Sequence, residues 1–190
     1  MEKMLLAITK DIVKFFVRYA PMGCFFAILA TAGYLFYEGY WNGIRLKNKS
    51  KISTKEMAGK AICIFLLVLY GYIVVGITML SRSESGTRYF SLELFRTFHN
   101  TFFSKKQICE NIIMFVPYAI LLFLYSNFFR RIGVMFGIGA ASSFLIESTQ
   151  WLTKTGYFEL DDILTNTLGM MLGYGVCNFV SRIKIDRNNK

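Results

Sequence analysis

The chain has 190 residues, of which 54% are hydrophobic and only 18% are charged, with a mean hydropathy of +0.42. This composition is too apolar for an ordinary soluble domain of this length. The net charge of +10 could suggest a nucleic-acid-binding protein, but the basic residues concentrate in loops and tails that flank apolar segments. We therefore expect no nucleic-acid binding, and interpret the basic residues as determinants of membrane topology and contacts for anionic lipids.

Apolar segments long enough to cross a bilayer recur along the chain. Residues 21–37, 61–81, 111–129 and 163–181 carry no charge, and residues 132–153 carry only Glu147. A bilayer core needs about 20 mainly apolar residues per helix, and none of these segments alternates with the period of two expected for a transmembrane strand. The predicted fold is all-α, a polytopic membrane protein with about five transmembrane helices.

Residues 1–18 are predicted to form an amphipathic helix at the membrane surface, and residues 19–190 the membrane domain. The apolar face contains Leu5, Ile8, Ile12, Phe15, Phe16 and Tyr19, and the other face contains Lys3, Lys10, Lys14 and Arg18. These charges interrupt the apolar stretch throughout, which is not typical of a signal peptide. We therefore expect the segment to remain in the mature chain as an interfacial helix.

The distribution of basic residues predicts the orientation of the helices. Residues 45–60 contain six Lys and Arg residues against Glu56 alone. Short loops dense in Lys and Arg stay in the cytoplasm, so this loop is expected inside and the loops at 82–107 and 154–162 outside. The C-terminus is then cytoplasmic and the N-terminus external. The basic N-terminal tail opposes this orientation, so either the first loop dominates or the N-terminal segment does not cross the membrane.

The long external loop is rich in aromatic and aliphatic side chains between Ser81 and Gln107. We expect it to lie on the membrane surface or to plug the outer end of the bundle. Arg88 and Arg96 are candidate contacts for a phosphate or carboxylate group, or partners for acidic helix ends. The alternative is that both arginines reach lipid headgroups.

Cysteine and histidine, the residue types that most often bind transition metals, are few and scattered along the chain. The cysteines are Cys24, Cys63, Cys109 and Cys177, and the single histidine is His99. Their spacing matches neither a zinc site nor a disulfide framework. The sequence contains no phosphate-binding loop, nucleotide-binding glycine motif or familiar hydrolase motif. We expect no metal and no cofactor, and assign no catalytic residue.

Polar residues collect at the facing ends of the last predicted helices and form what we call the polar cluster. Its members are Asn111, Glu147, Gln150, Asp161, Asp162 and Asn166. Residues three or four apart share a helix face, and the short loop after the fourth helix makes its end a neighbour of the start of the fifth. Ionisable groups in a membrane segment face the bundle interior, a partner or water, so the cluster is a functional-site hypothesis.

Small residues continue these polar faces and predict how the helices pack. Gly133 and Gly137 precede the polar residues on the fourth helix, and Gly169 and Gly173 follow them on the fifth. Small residues on one face allow close approach of another helix. We therefore expect the fourth helix to pack against the fifth through these glycines, which would bring the polar residues together near the outer surface.

Two roles are open for the polar cluster. Glu147 is expected to carry any proton or charge role, because a carboxylate held away from water can act as an acid or base. The alternative is a packing role, in which Glu147, Gln150, Asp162 and Asn166 hydrogen-bond to one another and hold two helices in register.

Three motifs occur in the order and rough spacing of the VanZ-like membrane proteins. They are N-I-I-M-F-V-P-Y from Asn111, I-E-S-T-Q from Ile146, and D-D-I-L-T-N-T-L-G-M-M-L-G from Asp161. The chain resembles this family over about residues 80–180, and the segment R-Y-F-S-L-E-L-F is similar to the stretch before the family's first motif. Two positions depart from the family pattern: Ala119 stands where Gly is common, and Gly156 where Arg is common, with Lys154 as the expected substitute for that Arg.

The resemblance implies a protein of the bacterial cell membrane. The family's prototype confers low-level resistance to teicoplanin, a lipid-bearing glycopeptide, and no reaction is securely assigned to the family. We expect this chain to lower susceptibility to such glycopeptides by a non-enzymatic action at the outer membrane surface. The alternative is an intramembrane enzyme, or a protein that binds an ion or lipid headgroup, using Glu147 and Asp162. Expected partners are membrane lipids, together with a lipid-bearing glycopeptide or a cell-wall lipid.

Overall fold

The computed structural model describes residues 2–45, 53–80, 90–91 and 101–188. The elements are α1 (Glu2–Arg45), α2 (Thr54–Val75), a π-helical turn (Gly76–Leu80), β1 (Phe90–Ser91), α3 (Phe102–Tyr125), a 3-10 turn (Asn127–Arg130), α4 (Ile132–Thr153), β2 (Phe158–Glu159) and α5 (Leu160–Asn188). Five helices in these residues are long and apolar enough to cross a membrane. This confirms the predicted all-α fold and its helix number.

The helix α1 runs without interruption through the boundary predicted between residues 18 and 19. Its 44 residues span ~66 Å at a rise of about 1.5 Å per residue, roughly twice the hydrocarbon core of a bilayer. Pro21 lies inside this helix. The amphipathic segment and the first predicted span are therefore parts of one helix.

Local sequence explains the helix ends near the polar cluster. The side-chain oxygen of Thr101 accepts a hydrogen bond from Ser104 N at 3.2 Å, which satisfies a first-turn N–H of α3. At the end of α4, Lys154 adopts a left-handed conformation with φ 58°, and Thr155 N donates to Gln150 O at 3.0 Å. This is a common way to end a helix, and it turns the chain back so that β2 and α5 return beside the end of α4.

The main core lies between α3, α4 and α5. It contains Phe115, Ala119, Leu122, Phe123, Met135 and Met170. The helix α5 packs against both α3 and α4. Large apolar side chains cover the outside of the bundle, such as Leu145 (64% exposed) and Phe179 (66% exposed). An apolar surface of this extent suits helices whose outer faces contact lipid.

The helices α1 and α2 form an antiparallel pair beside α3. Gly76 lies against the ring of Tyr19, where an added Cβ would come within 2.5 Å of Tyr19 Cγ. The hydroxyl of Tyr70 in α2 donates to Met114 O in α3 at 2.6 Å. The hydroxyl of Tyr70 therefore links the α1–α2 pair to the core helix α3.

The glycine packing predicted for α4 is wrong. A Cβ added to Gly133 or Gly137 would meet no atom of the described residues within 4 Å. The buried residues of α4 are instead Met135, Gly139, Ser143, Glu147 and Gln150. Gly137 and Gly139 are two residues apart and point about 160° away from each other on a helix. The predicted glycine stripe therefore diverges from the buried face on which Glu147 lies.

Gly169 and Gly173 do allow a close helix approach, but to α3 and not to α4. A Cβ on Gly173 would lie 2.6 Å from Val116 O, and a Cβ on Gly169 would overlap the carbonyl group of Ile112. The helix α4 approaches α5 through Gly139, where a Cβ would lie 2.9 Å from Met170 Cβ. The predicted contact between α4 and α5 exists, but different residues make it.

Candidate functional site

The polar cluster lies where α3, α4 and α5 meet, and all of its members except the half-buried Asn111 are buried. The exposed fraction is 2% for Glu147, Gln150, Asp161 and Asn166, and 8% for Asp162. A buried polar or charged group is costly unless it has hydrogen-bond or charge partners. The contacts of each side chain therefore decide what the cluster can do.

Glu147 contacts the start of α5. Its Oε2 accepts a hydrogen bond from the backbone N–H of Glu159 at 3.0 Å. Glu159 is the last residue of β2 and directly precedes α5. A negative charge is stabilised near the positive end of a helix dipole. Glu147 therefore fixes the end of α4 to the β2–α5 junction.

A parallel pair of short strands lies beside this junction. Phe90 of β1 pairs with Phe158 of β2, and their rings stack with centroids 4.4 Å apart. Phe144 and Trp151 of α4 make edge contacts with these rings at 5.8 and 6.3 Å. The aromatic contacts hold residues 90–91 of the long loop against α4. The candidate anion contacts Arg88 and Arg96 lie outside the described residues.

Gln150 connects α4 to the end of α2. Its side-chain amide donates to Thr78 O at 3.0 Å. Thr78 lies in the π-helical turn, and carbonyl groups in the last turn of a helix lack partners within that helix. Such π-helical turns are frequent at functional sites. Gln150 thus brings this turn into the polar cluster.

Asn166 connects α5 to α4. Its Nδ2 donates to Ser143 Oγ at 2.8 Å, and Ser143 Oγ in turn donates to Asp162 O at 3.5 Å. Asn166 Oδ1 is buried and has no hydrogen-bond partner among the described residues. The cluster therefore contains an acceptor available to a donor group, a situation that is uncommon for buried polar atoms.

Gln107 of α3 also belongs to the site, although it is not among the residues predicted from the sequence pattern. Its Nε2 donates to Asp162 Oδ1 and Oδ2 at 3.0 and 3.2 Å and lies 3.3 Å from Glu159 Oε2. Asn111, one turn further along α3, donates to Thr165 Oγ1 at 3.2 Å. The four-residue spacing between Gln107 and Asn111 is a signal that places both on one helix face.

Each predicted member with a described contact joins two elements. Glu147 holds the β2–α5 junction, Gln150 holds the π-helical turn, and Asn166 holds α4. These contacts support a packing role in which each side chain joins two elements. The described hydrogen bonds run to Glu159, Thr78 and Ser143, however, and not between the side chains predicted to bond to one another. Among the described residues, no group of three His, Cys, Asp or Glu side chains could hold a metal ion.

Comparison with known proteins identifies the family. The family model VanZ/LLP1 matches residues 59–181, a range that contains every residue of the polar cluster. Protein VanZ of Enterococcus faecium is 31% identical over 88 residues, which cover 43% of this chain and 53% of that protein. The chain thus spans about half the length of this curated relative. No solved structure matches the chain. Because the family model covers most of its length, the chain belongs to the VanZ/LLP1 family.

Proposed function

We propose that this VanZ-like membrane protein lowers bacterial susceptibility to lipid-bearing glycopeptides such as teicoplanin, by a non-enzymatic action at the outer surface of the cell membrane. The observation that carries the proposal is the VanZ/LLP1 match over residues 59–181, which includes the whole polar cluster. The hydrogen bonds of Glu147 and Gln150 to backbone groups of neighbouring elements support a structural use of these side chains over a catalytic one.

Charge distribution supports an outward-facing polar cluster. The segment 45–60, dense in Lys and Arg, includes the first turns of α2, which begins at Thr54. The other end of α2 continues into the π-helical turn, where Thr78 contacts Gln150. Because loops rich in Lys and Arg stay in the cytoplasm, the cluster at the opposite end of α2 is then external.

Cysteine labelling in intact cells tests this orientation. The four native cysteines are first replaced, and a single cysteine is then placed at Lys51 or at Lys154. A membrane-impermeant thiol reagent should label the Lys154→Cys variant and spare the Lys51→Cys variant. The reverse pattern would contradict an outward-facing cluster.

Comparing a glycopeptide that has a lipid chain with one that lacks it tests the proposed function. A glycopeptide with an acyl chain anchors at the membrane surface, where this protein can disturb it, whereas vancomycin lacks that anchor and binds cell-wall precursors directly. Expression in a susceptible Gram-positive host should raise the inhibitory concentration of teicoplanin more than that of vancomycin. An equal rise for both drugs would indicate altered precursors or slow growth, and no rise with the protein in the membrane would reject the proposal.

A second function rests on the burial of two carboxylates. Glu147 and Asp162 are 2% and 8% exposed, and buried carboxylates in membrane segments often serve proton transfer or ligand binding. This alternative is an intramembrane enzyme, or a protein that binds an ion or lipid headgroup. The variant Glu147→Gln separates it from the packing role, because glutamine keeps the shape and an accepting oxygen but removes the charge.

A further inference from the structure

A long cavity lies between α1, α2 and α3. Its volume is about 700 Å³, within the range of about 300–1,000 Å³ that is usual for small-molecule sites. Its apolar walls include Phe15 and Phe16 of α1, Leu66 and Leu69 of α2, and Ile120 and Leu121 of α3. Along α3 the lining runs from Lys106 to Leu121, a length of about 22 Å at the helical rise. This shape suits an extended apolar chain.

The polar groups of the cavity collect near the start of α3. Lys106 Nζ lies 2.6 Å from Asp11 Oδ2 and 3.2 Å from Glu110 Oε1. These three side chains are 22%, 37% and 37% exposed, respectively, so they remain reachable by a headgroup. Two carboxylates and one ammonium group give this triad a net negative charge. Gln107 and Asn111 line the same end of the cavity.

We infer that the cavity binds one membrane lipid with a zwitterionic, amine-bearing headgroup of the phosphatidylethanolamine type. An acyl chain fills the apolar length between the three helices. The ammonium group of the lipid contacts Asp11 and Glu110, and its phosphate contacts Lys106. An anionic headgroup without an amine would satisfy Lys106 but would face two carboxylates with no positive charge, so charge complementarity selects the amine-bearing lipid.

The lipid site is adjacent to the polar cluster. Gln107 and Asn111 line the cavity and also donate hydrogen bonds to Asp162 and Thr165 of α5. A bound headgroup is therefore separated from the buried carboxylates by single side chains. This inference does not rest on the proposed function, since it follows from the cavity and its charges alone.

Photo-crosslinking tests the site. The full chain is kept in non-ionic detergent micelles, which supply no competing headgroup charge, with a trace of phosphatidylethanolamine or phosphatidylglycerol, both carrying the same photoactivatable acyl chain. Peptide mass spectrometry should find labels concentrated around Ile120 relative to the outward-facing Leu145, which is 64% exposed. The ethanolamine probe should label the cavity roughly tenfold more than the glycerol probe, the ratio expected from about one charged hydrogen bond.

Two variants with matched controls separate the headgroup from the chain. Glu110→Gln should remove the preference for the ethanolamine probe. The control Glu56→Gln breaks a similar Lys–Glu pair on α2, Lys60–Glu56 at 3.0 Å, and should leave the preference intact. Ile120→Trp should block labelling by filling the cavity, whereas Leu124→Trp, on the same helix at a residue that is 59% exposed and outside the lining, should not.

Several results would overturn the inference. Equal labelling around Ile120 and Leu145 would show that the cavity holds no specific lipid. Equal labelling of the cavity by the two probes would reject the amine-bearing headgroup. An unlabelled cavity in a protein that elutes as a dimer would assign this surface to a second copy of the chain.

Discussion

The side-chain amide of Gln107 donates to both carboxylate oxygens of Asp162, at 3.0 and 3.2 Å. Asp162 is only 8% exposed, and Gln107 lines the cavity between α1, α2 and α3. One amide group therefore connects the buried acidic start of α5 to the cavity on the other side of α3. This pair connects the polar cluster to the polar end of the cavity.

Removing this amide should destabilise the bundle. A hydrogen bond to a charged group contributes about 1.5–3 kcal/mol, so Gln107→Leu should lower the thermal unfolding midpoint in detergent by roughly 4–10 °C. Circular dichroism at rising temperature measures the change. The control Asn127→Leu removes an exposed amide and should shift the midpoint little. Equal midpoints for the Gln107→Leu variant and the native chain would contradict the structural importance of the pair.

Glu147→Gln tests whether the charge of Glu147 is needed for function. Glutamine retains an oxygen that can accept from Glu159 N but loses the charge near the start of α5, a cost of about 1 kcal/mol. We expect a modest loss of stability and full teicoplanin protection at normal expression. Glu147→Ala should destabilise more, by about 1–3 kcal/mol, because it removes the acceptor altogether.

The outcome of this exchange decides between the two roles. Loss of protection by the Glu147→Gln variant, with normal expression and membrane insertion, would contradict the packing role. It would favour proton transfer or ligand binding by this carboxylate.

Gly173→Ala and Gly137→Ala form a matched pair that tests helix packing. A methyl group at residue 173 would lie 2.6 Å from Val116 O, and overpacking of this kind costs about 1–3 kcal/mol. At residue 137 an added Cβ meets no atom within 4 Å in the part of the chain that the structure describes, and alanine is the better helix former. Thermal unfolding should therefore show a lower midpoint for Gly173→Ala alone. A similar loss in the Gly137→Ala variant would restore the glycine packing predicted from sequence.

The sequence by itself determined that the protein is a helical membrane protein, and it identified most polar residues of the candidate site. Five apolar segments of bilayer length suffice for the helix number, because a membrane helix satisfies its backbone hydrogen bonds internally and needs only length and hydrophobicity. The short connection between Thr153 and Leu160 likewise placed Glu147 near the acidic start of α5. The helix number and the closeness of Glu147 to α5 both follow from local chain geometry, so the sequence was enough to predict them.

Only the tertiary structure decided which faces meet. Successive steps of three or four residues back from Glu147 lead through Ser143 either to Gly139 or to Gly137. Spacing alone does not choose between the two routes, because each single step turns by only about 40° or 60° around the helix and the difference accumulates over several steps. Gln107 joins the site for a similar reason: its partner Asp162 lies 55 residues away in the chain. The cavity exists because α1 and α2 pack beside α3 with a gap along their length, and such a gap depends on how three separate helices are placed against one another.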